Sequence, residues 1–289
     1  MDPFEIAALF SSIFGIICII IGLFTLILVY RTKSRLHTVN HLLICNTAFA
    51  SMIFSVVYII NYTYALFISW DTSNLTCRFR SYFTYTSIGL VMHSYTIQAI
   101  SRFFFSILSM KYQWLRTFRT HYTLILIQWL VIFIITSPVI VLDTVDFYPR
   151  TICWLKTEYD LISLYLLIIN LVAPIIVVIF IHIYIIYQVH KTRRNAVTLN
   201  NSLQNQNRDP KLVRNVMIII SIGVITGLPN IILSTYSNII LYYAHLVCQT
   251  FSVTLAIACN ILLDREIRKI IQTYFQRRKM QVLPIRTIN

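Results

Sequence analysis

The sequence predicts an all-α fold: a seven-transmembrane helix bundle with a short amphipathic cytoplasmic helix after the seventh span. Three observations carry this prediction. Of 289 residues, 57% are hydrophobic and 12% are charged, whereas a soluble domain is nearer ~25% charged. Seven apolar runs each approach the ~20 residues that a span requires. The basic residues gather on one side of those runs, as they do around membrane helices. Glycine is scarce, at 5 residues, and no strand-like alternation occurs, so helices rather than a barrel must satisfy the backbone in lipid.

The runs are Ile6–Tyr30, Val39–Thr63, Cys77–Leu108, His121–Leu142, Leu161–Gln188, Leu212–Tyr236 and Leu241–Leu263, and they form one domain over residues 1–289. Pro138, Pro174 and Pro229 fall inside the fourth, fifth and sixth; proline is tolerated in a spanning helix and usually kinks it. The third run organises the others. Cys77 and Arg102 lie 25 residues apart in it, roughly 38 Å of helix at ~1.5 Å per residue, so one stands at each face of a bilayer. The acidic start MDPFE lacks the basic region of a cleaved signal peptide. After the seventh run, Ile267, Ile270, Ile271, Tyr274 and Phe275 follow helical spacing with Arg and Lys between them. This predicts an amphipathic helix over 265–279, lying on the inner leaflet.

Twenty of the 24 Lys and Arg residues fall around the ends of runs one, three, five and seven and the loops that follow them, and only Arg78, Arg80, Arg150 and Lys156 fall on the opposite side. Acids run the other way, so the net +14 divides as +17 on one side and −3 on the other. The basic side is therefore expected in the cytoplasm, with the N-terminus outside and the plasma membrane as the location. In a chain this apolar the positive charge suits an anionic leaflet, with membrane lipid as partner and no nucleic acid. The polar stretch Thr192–Lys211 is expected to be a mobile cytoplasmic loop.

Cys77 and Cys153 are the two cysteines on the oxidising side, which points to a disulfide, two free thiols being the alternative. Asn74 and Asn61 head Asn-x-Thr triplets on that side and are candidate glycosylation acceptors. Arg102 needs either to snorkel or to find a partner at the lipid boundary; a plain positive-inside anchor is the simplest reading of it.

Together these features resemble the rhodopsin-like (class A) G-protein-coupled receptors, over the whole chain. Ser101-Arg102-Phe103 stands where that family has Asp/Glu-Arg-Tyr. Trp129 with Pro138, Cys153, Pro174 and Pro229 match further landmarks, Asn46 to Ser51 is similar to the family's span-two motif, and Asp264 to Arg268 is similar to the opening of its last helix. The resemblance implies that Arg102, with Ser101 and Phe103, couples to a heterotrimeric G protein. It implies that Trp129, Pro174, Pro229 and Asn260 serve helix packing and switching. An extracellular ligand, not identified by the sequence, would meet outward residues such as Arg80, Thr84, Tyr85, Asn230 and Tyr242, with Ser81, Asn170, Ser234, His245 and Gln249 as further candidates. Interhelical hydrogen bonding is the rival role for most of them.

The departures are specific. Ser51 replaces the span-two aspartate, so a sodium ion would lack its main hard-oxygen ligand. Ser101 replaces the acid beside Arg102, Gly227 replaces the span-six tryptophan, His182 the span-five tyrosine, and Asn260 stands at the tyrosine of the absent Asn-Pro-x-x-Tyr motif. Without the Ser101 acid, a weaker off-state and raised basal activity are expected. Thr84 at the amine-binding aspartate position disfavours a biogenic amine, and no lysine falls mid-span to hold retinal. Arg80 and the nearby aromatics permit a peptide or a small anion. No cofactor or metal is expected, because His37 and His41 share a helical face without a third ligand or an acid. No intramembrane acid pair or Gly-x-Ser-x-Gly supports an enzyme. The rival functions are a degenerate, non-signalling receptor and a seven-span chemosensory channel, the latter without the charge rings of a pore. A transporter would need internal repeats, and none is found.

Overall fold

The computed structural model describes residues 2–32, 38–67, 74–108, 112–142, 145–146, 153–155, 160–196, 239–264 and 266–273. The expected sixth span, Leu212–Tyr236, with Gly227, Pro229, Asn230 and Ser234, lies outside the described residues, as do residues 197–211 of the loop before it.

The helices in chain order are α1 (Pro3–Arg31), α2 (Val39–Phe67), α3 (Asn74–Ser106), α4 (Phe118–Ile135), α5 (Pro138–Val141), α6 (Asp160–Leu167), α7 (Ala173–Ala196) and α8 (Ile239–Leu263). A further helix, α9, covers 266–273. A π-helical turn, Ile168–Val172, joins α6 to α7. A two-stranded antiparallel ribbon pairs Val145 with Leu155 and Asp146 with Trp154. Among the described residues, five helical segments are long and apolar enough to cross a membrane: Pro3–Arg31, Val39–Phe67, Phe118–Val141, Leu161–Gln188 and Ile240–Leu263.

The third expected span is a 33-residue helix that falls short of that apolar criterion. The reason is its position. α3 lies against α2, α4, α5, α7, the π turn and the ribbon, so it needs little lipid-facing surface. It buries Ser81, Thr84, Thr86, Ser87, Ser94, Gln98 and Ser101. Three of the hydroxyls satisfy themselves on the helix's own carbonyls: Thr84 donates to Arg80, Ser87 to Thr84 and Ser94 to Val91. Such back-bonding lets a polar side chain sit in an apolar bundle without a lone donor.

α1 begins with Pro3 at its first turn and the Glu5 carboxylate accepting from the Asp2 N–H, which satisfies an orphan terminal donor. Its buried face is a stripe of small residues, with Ala8, Ser11, Gly15, Cys18, Gly22 and Thr25 following Phe4. Small side chains allow close helix approach where lipid supplies no hydrophobic drive. A Cβ on Gly22 would lie 2.5 Å from Met52 Cγ of α2. α4 and α5 are separate because Pro138 cannot continue the helix through Thr136–Ser137. Pro174 likewise has no N–H to donate; the chain widens into the π turn just before it, where the Ala173 N–H reaches the Ile168 carbonyl five residues back and Pro174 leaves the Ile169 carbonyl without a donor. The freed Ile169 carbonyl accepts instead from His93 Nε2 of α3, at 3.2 Å.

The main apolar core joins α1, α2, α3, α4 and α8 through Phe4, Phe54, Tyr58, Leu90, Ile132 and Leu246. A second cluster, with Cys18, Ile44, Ala48, Ile257 and Ile261, receives Ile267 of α9, which is wholly buried. α9 therefore docks on α1, α2 and α8 through the face that the sequence marks as apolar.

Candidate functional site

The two ends of α3 carry the candidate residues. At one end Cys77 and Cys153 form a disulfide, surrounded by Tyr85, Val139 and Leu166. It ties α3 to the residue just before the second strand of the ribbon.

At the other end, three consecutive residues of α3 turn to three different neighbours, as the 100° helical step requires. Ser101 faces α4, where its hydroxyl lies 2.8 Å from His121 Nε2. His121 Nδ1 is 3.0 Å from the Thr117 carbonyl, which can only accept, so that nitrogen carries the proton. A neutral ring then accepts the Ser101 hydroxyl proton at Nε2. Phe105 stacks on the same imidazole, and Arg116 lies over Phe105. Phe103 faces α7, its ring centroid 5.8 Å from that of Tyr184.

Arg102 points between them. Its Nε and Nη1 are buried without a hydrogen-bond partner, and no carboxylate lies within ion-pair distance of it among the described residues. His182 of α7 places Nδ1 on the Val178 carbonyl at 2.7 Å and leaves Nε2 unpartnered. Ser101, where the family has an acid, is thus engaged with α4 and offers Arg102 no counter-charge.

Asp264 follows α8 directly. Its Oδ1 accepts from the N–H groups of Glu266 and Ile267, capping α9, and its Oδ2 accepts from Asn40 Nδ2 at 3.0 Å. His41 Nε2 is 3.7 Å from Oδ1. Burial alone would raise the carboxyl's pKa. His41 and the two backbone donors outweigh it and hold Asp264 below the usual carboxylate range.

Midway along the bundle an amide network fastens three helices. Asn46 of α2 donates to Gln128 of α4 and accepts from Trp129 Nε1, and Gln128 donates to the Leu90 carbonyl of α3. Trp129 is thus a fastener between α2 and α4. Asn260 is buried on α8 and Pro174 follows the π turn.

The outward candidates divide. Thr84 is buried, accepting from Asn61 Nδ2 at 2.9 Å. The Arg80 guanidinium lies over the Tyr64 ring, 4.5 Å from its centroid. Tyr85 belongs to the cluster around the disulfide, and Tyr242 of α8 lies against the main core. Tyr58 donates to Gln249 Oε1 at 2.7 Å. Asn170 of the π turn is 3% exposed, unpartnered at both amide atoms, and seated over Gly89, whose hypothetical Cβ would lie 2.6 Å from Asn170 Oδ1. The structure brings Arg80, Thr84 and Tyr85 onto one stretch of α3; Asn230 and Pro229 lie outside the described residues.

Asn61 requires a correction. It is 2% exposed, and its Nδ2, the atom a glycan would occupy, donates to Val57 and Thr84. The acceptor triplet is real as sequence, but the side chain is a helix-to-helix donor.

Sequence reasoning missed His121 as the partner of Ser101, Gln128 as the centre of the amide network, and Asn40 with His41 as the holders of Asp264. No local pattern marks these pairs, which join residues on different helices. A buried polar residue in an otherwise apolar run was the one usable signal, and Gln128 carried it.

The sequence model of the family described as "7 transmembrane receptor (rhodopsin family)" matches residues 22–264. The chain is also 23% identical over 232 residues to the "G-protein coupled receptor homolog Q2/3L" of Sheeppox virus (strain KS-1), covering 78% of this chain and 57% of that protein. The chain spans little more than half the length of this relative. With most of its residues under the family match, the chain belongs to the rhodopsin family of seven-transmembrane receptors. It is a divergent, multi-pass membrane member of a family of receptors rather than enzymes.

Proposed function

We propose that the chain is a plasma-membrane receptor that transmits the binding of an extracellular ligand to a cytoplasmic heterotrimeric G protein. Its bundle has seven spans, with 212–236 as the sixth, the N-terminus outside and α9 lying on the inner leaflet. Asn74, which opens α3, is the glycan acceptor of this reading. The ligand is a peptide or a small anionic molecule approaching Arg80 from the disulfide end, with Tyr242 and Asn230 as further contacts.

One observation carries the proposal: Arg102 at the end of α3 is half-buried, with its Nε and Nη1 buried and without hydrogen-bond partners. Buried guanidinium N–H groups left unsatisfied are costly in a bundle. Its retention fits a donor that an incoming partner satisfies. Ligand binding would favour a state in which the sixth span moves from α3 and uncovers Arg102. The family membership and the viral receptor homologue support the same reading.

The degenerate receptor is the second reading, and Ser51 favours it, because a buried serine with an unpartnered hydroxyl replaces the family's acid. Basal G-protein activation in cells expressing the chain and Arg102→Ala, at matched surface expression, separates the two. A drop of about tenfold or more on Arg102→Ala, the equivalent of ~1.4 kcal/mol, is the outcome expected of a coupled receptor. Activity equal in both forms would refute coupling through Arg102.

A further inference from the structure

We propose that Asp264 is the counter-charge of Arg102 in this state of the bundle, acting across the helices in place of the acid that Ser101 lacks. The helix register supplies the first argument. Gln98 Nε2 of α3 donates to Thr47 Oγ1 of α2 at 2.6 Å, which fixes how these two helices stand side by side. They run in opposite directions, so one turn onward from Gln98 is Arg102 and one turn back from Thr47 is Leu43. Two and three residues further back in α2 are His41 and Asn40, the two that hold Asp264. The carboxylate is therefore fixed at the level of Arg102, on the side of α3 that Arg102 shares with Gln98.

The surroundings of the two groups point the same way. Arg102 Nε and Nη1 are buried and unpartnered; no ion pair within 4 Å joins Arg102 to Asp264, so the attraction between them acts across a gap rather than through a contact. The acid next along the chain, Glu266, is exposed and pairs with Lys269, while Asp2 and Glu5 begin α1, at the other end of the bundle. Capping α9 does not account for the choice of aspartate. The cap uses a single oxygen, and asparagine caps a helix as well as aspartate does. The second oxygen and the charge are held toward α2 by Asn40 and His41. This arrangement makes the α8–α9 junction a brake on Arg102: a partner that draws the guanidinium away must work against Asp264.

The test uses the purified full chain in lipid nanodiscs and reads thermal unfolding of Arg102→Gln, Asp264→Asn and the double variant. Asparagine keeps the cap and the Asn40 contact but removes the charge. The expected result is a double-variant shift smaller than the sum of the single shifts by about 2–4 °C, with Asp264→Glu close to the parent. Shifts that add within about a degree overturn the proposal. No G protein enters this measurement, so it stands or falls separately from the signalling function. In cells, Asp264→Asn is expected to raise basal G-protein activation about two- to fivefold, and to have no effect when Ser101→Asp supplies a nearer acid. An undiminished rise in the Ser101→Asp background would also overturn it.

Discussion

At the scale of single residues, the exchange of an acid for Ser101 changes where α3 spends its polar contacts. A carboxylate here would lie beside Arg102 and could balance its charge. The serine instead gives its hydroxyl to His121, under the stacked ring of Phe105, and the balance passes to groups on other helices. Ser101→Asp restores a neighbouring carboxylate and should deepen the off-state. Position 101 is buried, so the cost of desolvating the carboxylate offsets most of its attraction to Arg102; a net gain of about 1 kcal/mol corresponds to roughly a fivefold shift in a two-state ratio. Basal G-protein activation should therefore fall by about that factor at equal surface expression. Unchanged activation would show that Arg102 is already fully restrained, or that its charge does not govern the equilibrium.

At the scale of the helix, the amide network explains why α2, α3 and α4 hold one arrangement. Asn46, Gln128 and Trp129 satisfy each other, and Gln128 reaches the Leu90 carbonyl one helix further. Gln128→Leu keeps the bulk but strands a buried Asn46 amide. Interhelical hydrogen bonds in membranes average about 0.6 kcal/mol and reach about 1.7. A loss at the upper end, near 1.5 kcal/mol, is expected because two bonds go together. Thermal unfolding in nanodiscs should fall by roughly 3–6 °C, and no drop would mean that the network is structurally idle. Which helices exist was legible in the sequence, because a bilayer demands long apolar runs and these leave a strong signal. How they are fastened was not. Asn40 and His41 meet a carboxylate more than 220 residues away, and Ser101 meets a histidine on another helix. Asn61 shows the reverse failure: its triplet is plain in the sequence, but burial against Thr84 depends on how α2 and α3 dock.

At the scale of the whole molecule, α3 serves as a strut with a covalent anchor at one end and Arg102 at the other. The Cys77–Cys153 bond closes a stretch with a sequence separation of 76. For a free chain such closure would contribute roughly 4 kcal/mol. In a membrane the gain should be smaller, since α3 and α4 remain helical when separated and the disordered length to be closed is shorter. The bond still positions Arg80, Thr84 and Tyr85, which lie within eight residues of Cys77 on one rigid helix. Removing it should loosen the disulfide end, together with the Tyr85, Val139 and Leu166 cluster, while the amide network keeps the middle of the bundle joined. Cys77→Ser, Cys153→Ser and the double variant should each lower the unfolding temperature by about 3–8 °C, for a loss near 2 kcal/mol. The double variant should be no worse than either single, because all three lack the same bond. Additive losses would show that each cysteine stabilises its own surroundings as a packed thiol and that the covalent tie contributes little.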